Sequence, residues 1–502
     1  MKNLANKNIL VLGLGASGLA LARWCVRSGA QVTVADTRAA PPQLQTLNNS
    51  LPGVKFVHSS MDAALFASDT FDLVLKSPGL SPASVAAVID AAAARGTARG
   101  NELSLFSQAL ADLKEERAYA PQVIGITGTN GKTTVTSLTG QLIARAGKSV
   151  AVAGNIGPTL LDTLTQQLDA PVLPEVWVLE LSSFQLDSVS SFEPTVATVL
   201  NITQDHLDWH ETFAAYMAAK ARVYGSTGLM LLNRDDPLVM AALPSVLPTT
   251  KAKQAARREY QTFGSDMPQR PGDYGIENVN GMTWLVRAAV ADETVKPRKN
   301  EEVVLYIQRL MPMDALRIRG LHNATNALAA LALAVAAGCN LAPMLHGLRE
   351  YRGEPHRVES VAVIRDIEYF DDSKGTNVGA TVAALAGLGA DRKLVVILGG
   401  EGKSQDFSPL AEPVSRYARA VVLIGRDAAR IRAAIEASGV PLLDAGSMQE
   451  AVHIAAQQAR TGDAVLMSPA CASFDMFDNY EHRAQVFCEA VQTLAQDAGV
   501  LV

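Results

Sequence analysis

An α/β architecture of three doubly wound blocks is predicted by three features of the chain. Its 502 residues exceed one ordinary domain and, at roughly 150 residues each, divide into about three. Apolar residues make up 48% and glycines number 37, while aromatics are only 5%. That balance suits Ala- and Val-rich helices packed closely on parallel strands. Short β-branched runs ending in glycine-rich turns recur, with helical periodicity between them.

The first block is expected over residues 1–110. It opens with a strand at 8–12 (NILVL), a glycine turn, a helix to about 28 and a strand at 31–35, which make a βαβ unit. A further strand at 73–75 ends at Ser77-Pro78-Gly79, and the charged run LKEERAYAP at 113–121 reads as a linker. The second block, 111–353, places strands at 122–126, 150–153, 176–181, 196–200 and 229–232. Its regular spacing breaks at about 251–319, read as an insertion whose solvated tip, KPRKNEE at 296–302, joins strands at 282–286 and 303–307. The apolar stretch 326–338 is shorter than the ~20 residues that span a bilayer, so it reads as a buried helix ending at a glycine. Residues 351–355 (YRGEP) form a second linker, and block three, 354–502, carries strands at 367–370, 393–398, 420–424 and 464–468.

Composition excludes several functions. With 44 Lys plus Arg against 50 Asp plus Glu, the net charge is −6, and charged residues are 19%, below the ~25% of an average soluble domain. A disordered chain, a basic nucleic-acid binder and a polybasic membrane binder are disfavoured. Cys25, Cys339, Cys471 and Cys488 show no metal or disulfide spacing and read as structural thiols in a reducing compartment. The N-terminal stretch lacks a secretory pattern, so a cytoplasmic location is expected.

Two glycine turns carry chemistry. Gly13-Leu14-Gly15-Ala16-Ser17-Gly18 follows a strand and opens a helix, with Asp36 at the end of the next strand. This is a Rossmann-like nucleotide turn, which alone leaves NAD and other nucleotides open. Thr37 and Arg38, just beyond Asp36, would suit a uracil or a second phosphate. Gly125-Ile126-Thr127-Gly128-Thr129-Asn130-Gly131-Lys132-Thr133-Thr134 is a P-loop-type turn that departs by one residue from the strict spacing, with Ile126 where a glycine would stand. Its amides would wrap phosphates, Lys132 would neutralise β/γ charge and Thr133 would ligate Mg²⁺. Glu180 ends a strand, and Asp205 and His206 follow another, where acidic and imidazole groups would serve a magnesium site. His210 has no HExxH partner and is assigned no metal.

The motifs GTNGKTT (128–134), GNIG (154–157), ELSSFQL (180–186), NITQDHLD (201–208), YMAAK (216–220), HNATNALAA (322–330), PHR (355–357), DDSKGTN (371–377), GGEGKSQDF (399–407) and SPACASFDMF (468–477) occur in order. Together they resemble the Mur ligase family, over nearly the whole chain except 251–319. The resemblance implies a Rossmann-like first domain for a UDP substrate, a central ATP domain and a Rossmann-like third domain for an amino acid. The implied activity is ATP-dependent amide formation between UDP-N-acetylmuramoyl-L-alanine and D-glutamate, through an acyl phosphate, in cytoplasmic peptidoglycan precursor synthesis. Rivals are another Mur-type or folylpolyglutamate-type ligase and, in a different class, an NAD-dependent oxidoreductase.

Residue by residue, the resemblance implies that Gly15, Ala16, Ser17 and Gly18 face the diphosphate, with Thr37, Arg38 and Ser77 at the uracil end. Thr129, Asn130, Gly131, Lys132, Thr133 and Thr134 would cradle ATP phosphates, with Asn323, Arg357, Asp372 and Lys374 completing the ATP site. Asn155 and His206 would meet the alanyl carboxylate and a second Mg²⁺, so that Thr133, Glu180, His206 and a CO₂-derived carbamate on Lys220 hold two ions. Lys403, Ser473 and Phe474, supported by Thr376 and Tyr480, would bind D-glutamate. A monomer without nucleic-acid or membrane partners is expected.

Overall fold

The computed structural model describes residues 4–67, 69–189, 191–243, 258–291, 304–390, 392–403 and 405–500. A five-stranded parallel sheet comes first, built from β1 (Asn8–Leu12), β2 (Gln31–Asp36), β3 (Lys55–His58), β4 (Leu73–Lys76) and β5 (Ala98–Gly100) in the order β3-β2-β1-β4-β5. A six-stranded parallel sheet follows: β6 (Gln122–Thr127), β7 (Val150–Gly154), β8 (Val176–Glu180), β9 (Val196–Val199), β10 (Leu229–Asn233) and β11 (Tyr260–Phe263), ordered β11-β10-β9-β6-β8-β7. Beside it stands an antiparallel sheet of β12 (Tyr274–Val279), β13 (Met282–Val290) and β14 (Leu305–Pro312). The last sheet has β15 (Glu359–Ile364), β16 (Ile367–Asp371), β17 (Leu394–Gly399), β18 (Ala418–Ile424), β19 (Leu442–Asp444) and β20 (Ala464–Met467), ordered β15-β16-β20-β17-β18-β19.

Strand order decides where ligands can sit, because the loops after two strands diverge where a sheet reverses its winding. In the first sheet this happens between β1 and β4, which brings the Gly13–Gly18 turn beside Ser77. In the second, β6 lies between β8 and β9, so the Gly128–Lys132 turn is flanked by the ends of both. In the fourth, β17 and β20 are neighbours and their following loops meet in a bridge between Glu401 and Ala472.

Four expectations change. The boundary near residue 110 falls inside the helix Glu102–Arg117. The linker read at 113–121 is firmly docked, because Phe106 meets Trp177 edge-on at 5.1 Å and the Trp177 indole donates to the Tyr119 hydroxyl at 2.9 Å. The segment 251–319 is not wholly an insertion, since β11 is the edge strand of the central sheet. Four residues long, it is fixed by the Thr262 amide donating to buried Asp273 at 2.7 Å, a contact that no periodicity announces. The KPRKNEE tip lies outside the described residues, and the strand expected from 303 begins, as described, at Leu305. The third block is not purely parallel: β15 and β16 form an antiparallel hairpin whose turn puts Arg365 at φ 51° and Asp366 at φ 63°. Such a turn normally carries Asn or Gly, and Arg-Asp disguised it.

The 326–338 stretch lies in the helix Leu321–Ala336 and its exit at Gly338, with Ala324 and nearly every residue from Ala327 to Ala334 in the core. No helix among the described residues is long and apolar enough to cross a membrane. Three of the four cysteines are buried, and none is paired. Because Trp177 joins the first block's last helix to the central sheet, Trp177→Ala is expected to cost about 3–5 kcal/mol. Urea unfolding followed by circular dichroism checks this.

Candidate functional site

The phosphate-type turn is held open from below before any ligand is considered. Gly131, at φ 82°, caps the helix Lys132–Arg145 in a conformation that side chains resist. The Asn130 amide donates to the Asn201 side chain at 2.8 Å, and the Asn201 amide group returns a bond to the Asn130 carbonyl at 3.1 Å. Thr129 shares a hydrogen bond with the Tyr216 hydroxyl at 2.9 Å and accepts from the Thr203 amide at 3.0 Å. Lys132 folds back, donating to the Gly128 and Thr129 carbonyls at 2.9 Å each. Lys220, 2% exposed, donates to the Gly128 carbonyl at 2.7 Å, with its ammonium nitrogen 4.6 Å from the Tyr216 ring centre.

The turn opens into a cavity of about 150 Å³ that Lys132, Thr133, Asn155, Glu180, His206 and Lys220 all line. The Asn155 amide donates to Glu180 Oε1 at 2.7 Å, whereas Oε2 is buried without a partner. An orphaned carboxylate oxygen beside a threonine hydroxyl is a donor set that fits a divalent cation. Burial lowers the Lys132 pKa; Arg357 and Lys374 add to this while Glu180 and Asp205 oppose it. Burial, reinforced by Lys132, holds Lys220 well below the ordinary lysine range. Burial also lowers His206, against the opposing charge of Asp205, 3.5 Å away.

The third block reaches into the same place. Arg357 donates to the Thr133 hydroxyl at 2.7 Å, and the Asn130 and Asn377 side chains exchange hydrogen bonds at 3.1 and 3.3 Å. Lys374 donates to Tyr480 at 2.8 Å and lines the cavity together with Thr376. A second cavity, about 290 Å³, adjoins it and is bounded by Asn130, Gly131, Thr134, Asn323, Arg357, Asp372 and Lys374. Asp372 is buried and accepts from the Ser468 hydroxyl at 2.6 Å. Burial outweighs that bond and pushes its pKa up to about 7.

Every residue assigned from the sequence to ATP, magnesium or the acyl end therefore lines one of these two cavities. The amino-acid group is more dispersed. Ser473 is buried, Lys403 is exposed, and Phe474, 65% exposed, lines neither cavity. Tyr216, Asn201, Thr203 and Asn377 were not singled out, although Tyr216 stands four residues before Lys220 and so shares its helix face.

At the first sheet, a Cβ on Gly18 would lie 1.9 Å from the Gly13 carbonyl oxygen, so only glycine allows the turn to close. Ser77 donates to that same oxygen at 3.0 Å, while Thr37 and Arg38 are exposed beside it. Asp36 is fully engaged. One oxygen takes the Arg38 amide and Nε, and the other takes the Leu14 amide and Arg38 Nη2, at 2.7–2.9 Å. These bonds outweigh its burial and hold the carboxylate down at about 2. A ribose diol finds no free acceptor there, which removes the basis of the NAD reading.

Three family models match successive parts of the chain. Residues 7–98 match the Mur ligase MurD-like N-terminal domain, 126–334 the Mur ligase middle domain, and 356–471 the Mur ligase glutamate ligase domain. A UDP-N-acetylmuramoylalanine--D-glutamate ligase from Albidiferax ferrireducens is 66% identical over 99% of this chain and 98% of its own. The chain belongs to the Mur ligase family. A ligase of the same description from a Polaromonas species is 60% identical, with both chains covered in full. Among solved structures, the MurF ligase of Thermotoga maritima, determined with ADP, superposes with a TM-score of 0.56 at 16% identity, covering 99% of this chain and 98% of that one. That likeness concerns the fold.

One pH dependence follows from Asp372. Its folded pKa lies above the unfolded value of 3.8, so its contribution favours folding most below pH 3.8 and is lost as pH rises through about 7. Asp372→Asn is expected to remove that loss, gaining on the parent protein between pH 5.5 and 8.5 in urea midpoint.

Proposed function

We propose that this protein joins D-glutamate to the alanyl carboxylate of UDP-N-acetylmuramoyl-L-alanine, using ATP, in cytoplasmic peptidoglycan precursor synthesis, and that it acts as a monomer. The single observation that carries the chemistry is the convergence of Lys132, Arg357 and Lys374 from two blocks on one glycine turn beside Glu180. A carboxylate condenses with an amine only after activation. Attack of the alanyl carboxylate on the γ-phosphorus forms a C–O–P acyl phosphate and breaks the bond to ADP. The amine of D-glutamate then adds to the acyl carbon, loses a proton and expels phosphate.

The chain's own residues serve each stage. Amides of residues 129–134 and Lys132 receive the β- and γ-phosphates, and Arg357 and Lys374 meet charge that builds on the transferred group. Asn155, fixed by Glu180, orients the carboxylate, and His206 closes the opposite wall over Phe184. Asn323 and Asp372 lie on the adenosine side. Magnesium would be held by Thr133, Glu180, His206 and modified Lys220, and when bound supplies positive charge to the phosphate oxygens. Lys220 suits its modification: burial disfavours its charged form, and the free amine attacks CO₂, releases a proton and leaves an anionic carbamate. UDP is placed on the Gly15–Gly18 turn with Thr37, Arg38 and Ser77, and D-glutamate among Thr376, Tyr480, Lys403, Ser473 and Phe474. Docking of the third block excludes water that would hydrolyse the acyl phosphate.

In an ADP-release assay with UDP-N-acetylmuramoyl-L-alanine and a panel of D- and L-amino acids, turnover is expected with D-glutamate alone. Equal turnover with L-glutamate would overturn the assignment. Lys220→Ala is expected to lower kcat about 10²–10³-fold, with partial recovery on adding a short-chain carboxylate. An unaffected variant would remove the carbamate.

A further inference from the structure

The carboxyl of Glu102 has no part in the reaction above, yet it stands between the helix that opens at the Gly15–Gly18 turn and the helix that follows the Asn155 turn. It opens the helix Glu102–Arg117 behind the Asn101 cap and is 1% exposed. Asn101 itself donates to the Gln185 carbonyl at 3.0 Å, just beyond the ELSS segment. Glu102 Oε1 accepts the Leu161 amide at 3.0 Å, at the start of the helix Leu160–Asp169 that follows the GNIG turn bearing Asn155. Oε2 is buried with no hydrogen bond of direct geometry. The Ser17 hydroxyl, on the helix Ala16–Arg27, lies near enough to bear on the carboxyl, whereas the Thr159 hydroxyl is given to Asp162 at 3.0 Å.

No cation pairs with Glu102 among the described residues. Asp162 faces it from the helix Leu160–Asp169 and is itself 3.5 Å from Arg23 on the helix Ala16–Arg27. Asp187, past the turn that Asn101 holds, is occupied by Lys76 and Arg222 at 3.9 and 3.5 Å. Burial, with Asp162 adding to it, pushes Glu102 up to about 7, so the acid form is populated near neutrality.

We propose that Glu102 is a positioning residue for the diphosphate: its acid proton, donated from Oε2 to the Ser17 oxygen, turns the Ser17 hydroxyl hydrogen toward the phosphate. Oε1 meanwhile keeps the Asn155 turn in register with the same phosphate turn. A serine hydroxyl has one hydrogen to give. With a carboxylic acid behind it, that hydrogen is free for the anion. With a carboxylate behind it, the hydrogen is drawn backward, lone pairs face the phosphate, and a second negative charge is added nearby. UDP-substrate binding is thereby linked to one proton on Glu102. This inference rests on the reading of the Gly15–Gly18 turn as the diphosphate site.

The test is the pH profile of KM for UDP-N-acetylmuramoyl-L-alanine and, separately, for ATP, in the parent protein and in Glu102→Gln and Glu102→Leu. A diphosphate diester does not itself titrate in this range. The parent's KM for the UDP substrate is expected to rise about tenfold per pH unit above about pH 7, with KM for ATP unmoved. Glu102→Gln, which donates and accepts in the same places at every pH, is expected to keep the low KM throughout. Glu102→Leu is expected to show a raised KM for the UDP substrate at all pH values, and should that variant fail to fold, the glutamine variant decides. A Glu102→Gln profile parallel to the parent's would overturn the inference while leaving the proposed function intact. Absence of D-glutamate-dependent ADP release in the parent would instead overturn the functional reading, and this inference with it.

Discussion

Positive charge gathered where water is scarce is the constraint around which the centre of this molecule is built. Lys132, Lys220, Arg357 and Lys374 converge on one glycine turn, with Glu180 and Asp205 the main opposing charges. Like charges in a low-dielectric site repel strongly. The protein relieves this in two ways. Carbonyl oxygens of Gly128 and Thr129 solvate half-buried Lys132, the Gly128 carbonyl also solvates buried Lys220, and desolvation lowers both pKa values so that the charge need not be carried in full. The remaining excess is complementary to a polyphosphate, so the ligand-free site stores an unfavourable interaction that an anion releases.

That constraint also explains why the third block is tied to the central one at the phosphate turn. Side chains from the third block, Arg357 and Asn377, make their contacts on Thr133 and Asn130 of the phosphate turn itself. The segment before them is anchored too, since buried Tyr351 donates to Glu354 at 2.7 Å and lies against the Thr134 carbonyl. Residues 351–357, through which the third block joins the second, are therefore fixed on the helix that starts at the phosphate turn. On the other side, Trp177 and Tyr119 fasten the first block to the central sheet.

Much of this was legible in the sequence, and the reasons are physical. Buried parallel strands announce themselves as β-branched runs, so β1, β6, β8 and β17 fall where expected. Phosphate turns need glycines and a lysine at fixed spacing, and the motif residues of the central block gather in two adjoining cavities. What was hidden depends on partners distant in sequence. The edge strand β11 owes its place to Asp273, the hairpin turn at Arg365-Asp366 lacks turn residues, and Phe474 is placed by its loop rather than its chemistry. Glu102 carries no signal in the sequence, because only the packing of two other helices against it makes it buried.

The engagement of Asp36 has a wider meaning. In dinucleotide enzymes a carboxylate at this place is the group that tells one cofactor from another; here it braces Leu14 and Arg38 and has no valence left. A fold shared with redox enzymes thus keeps its glycine turn while its carboxylate is spent inside the protein. What the end of β2 presents outward is Thr37 and Arg38, both exposed, so any choice among nucleotides at this edge is left to a hydroxyl and a guanidinium and taken from the carboxylate.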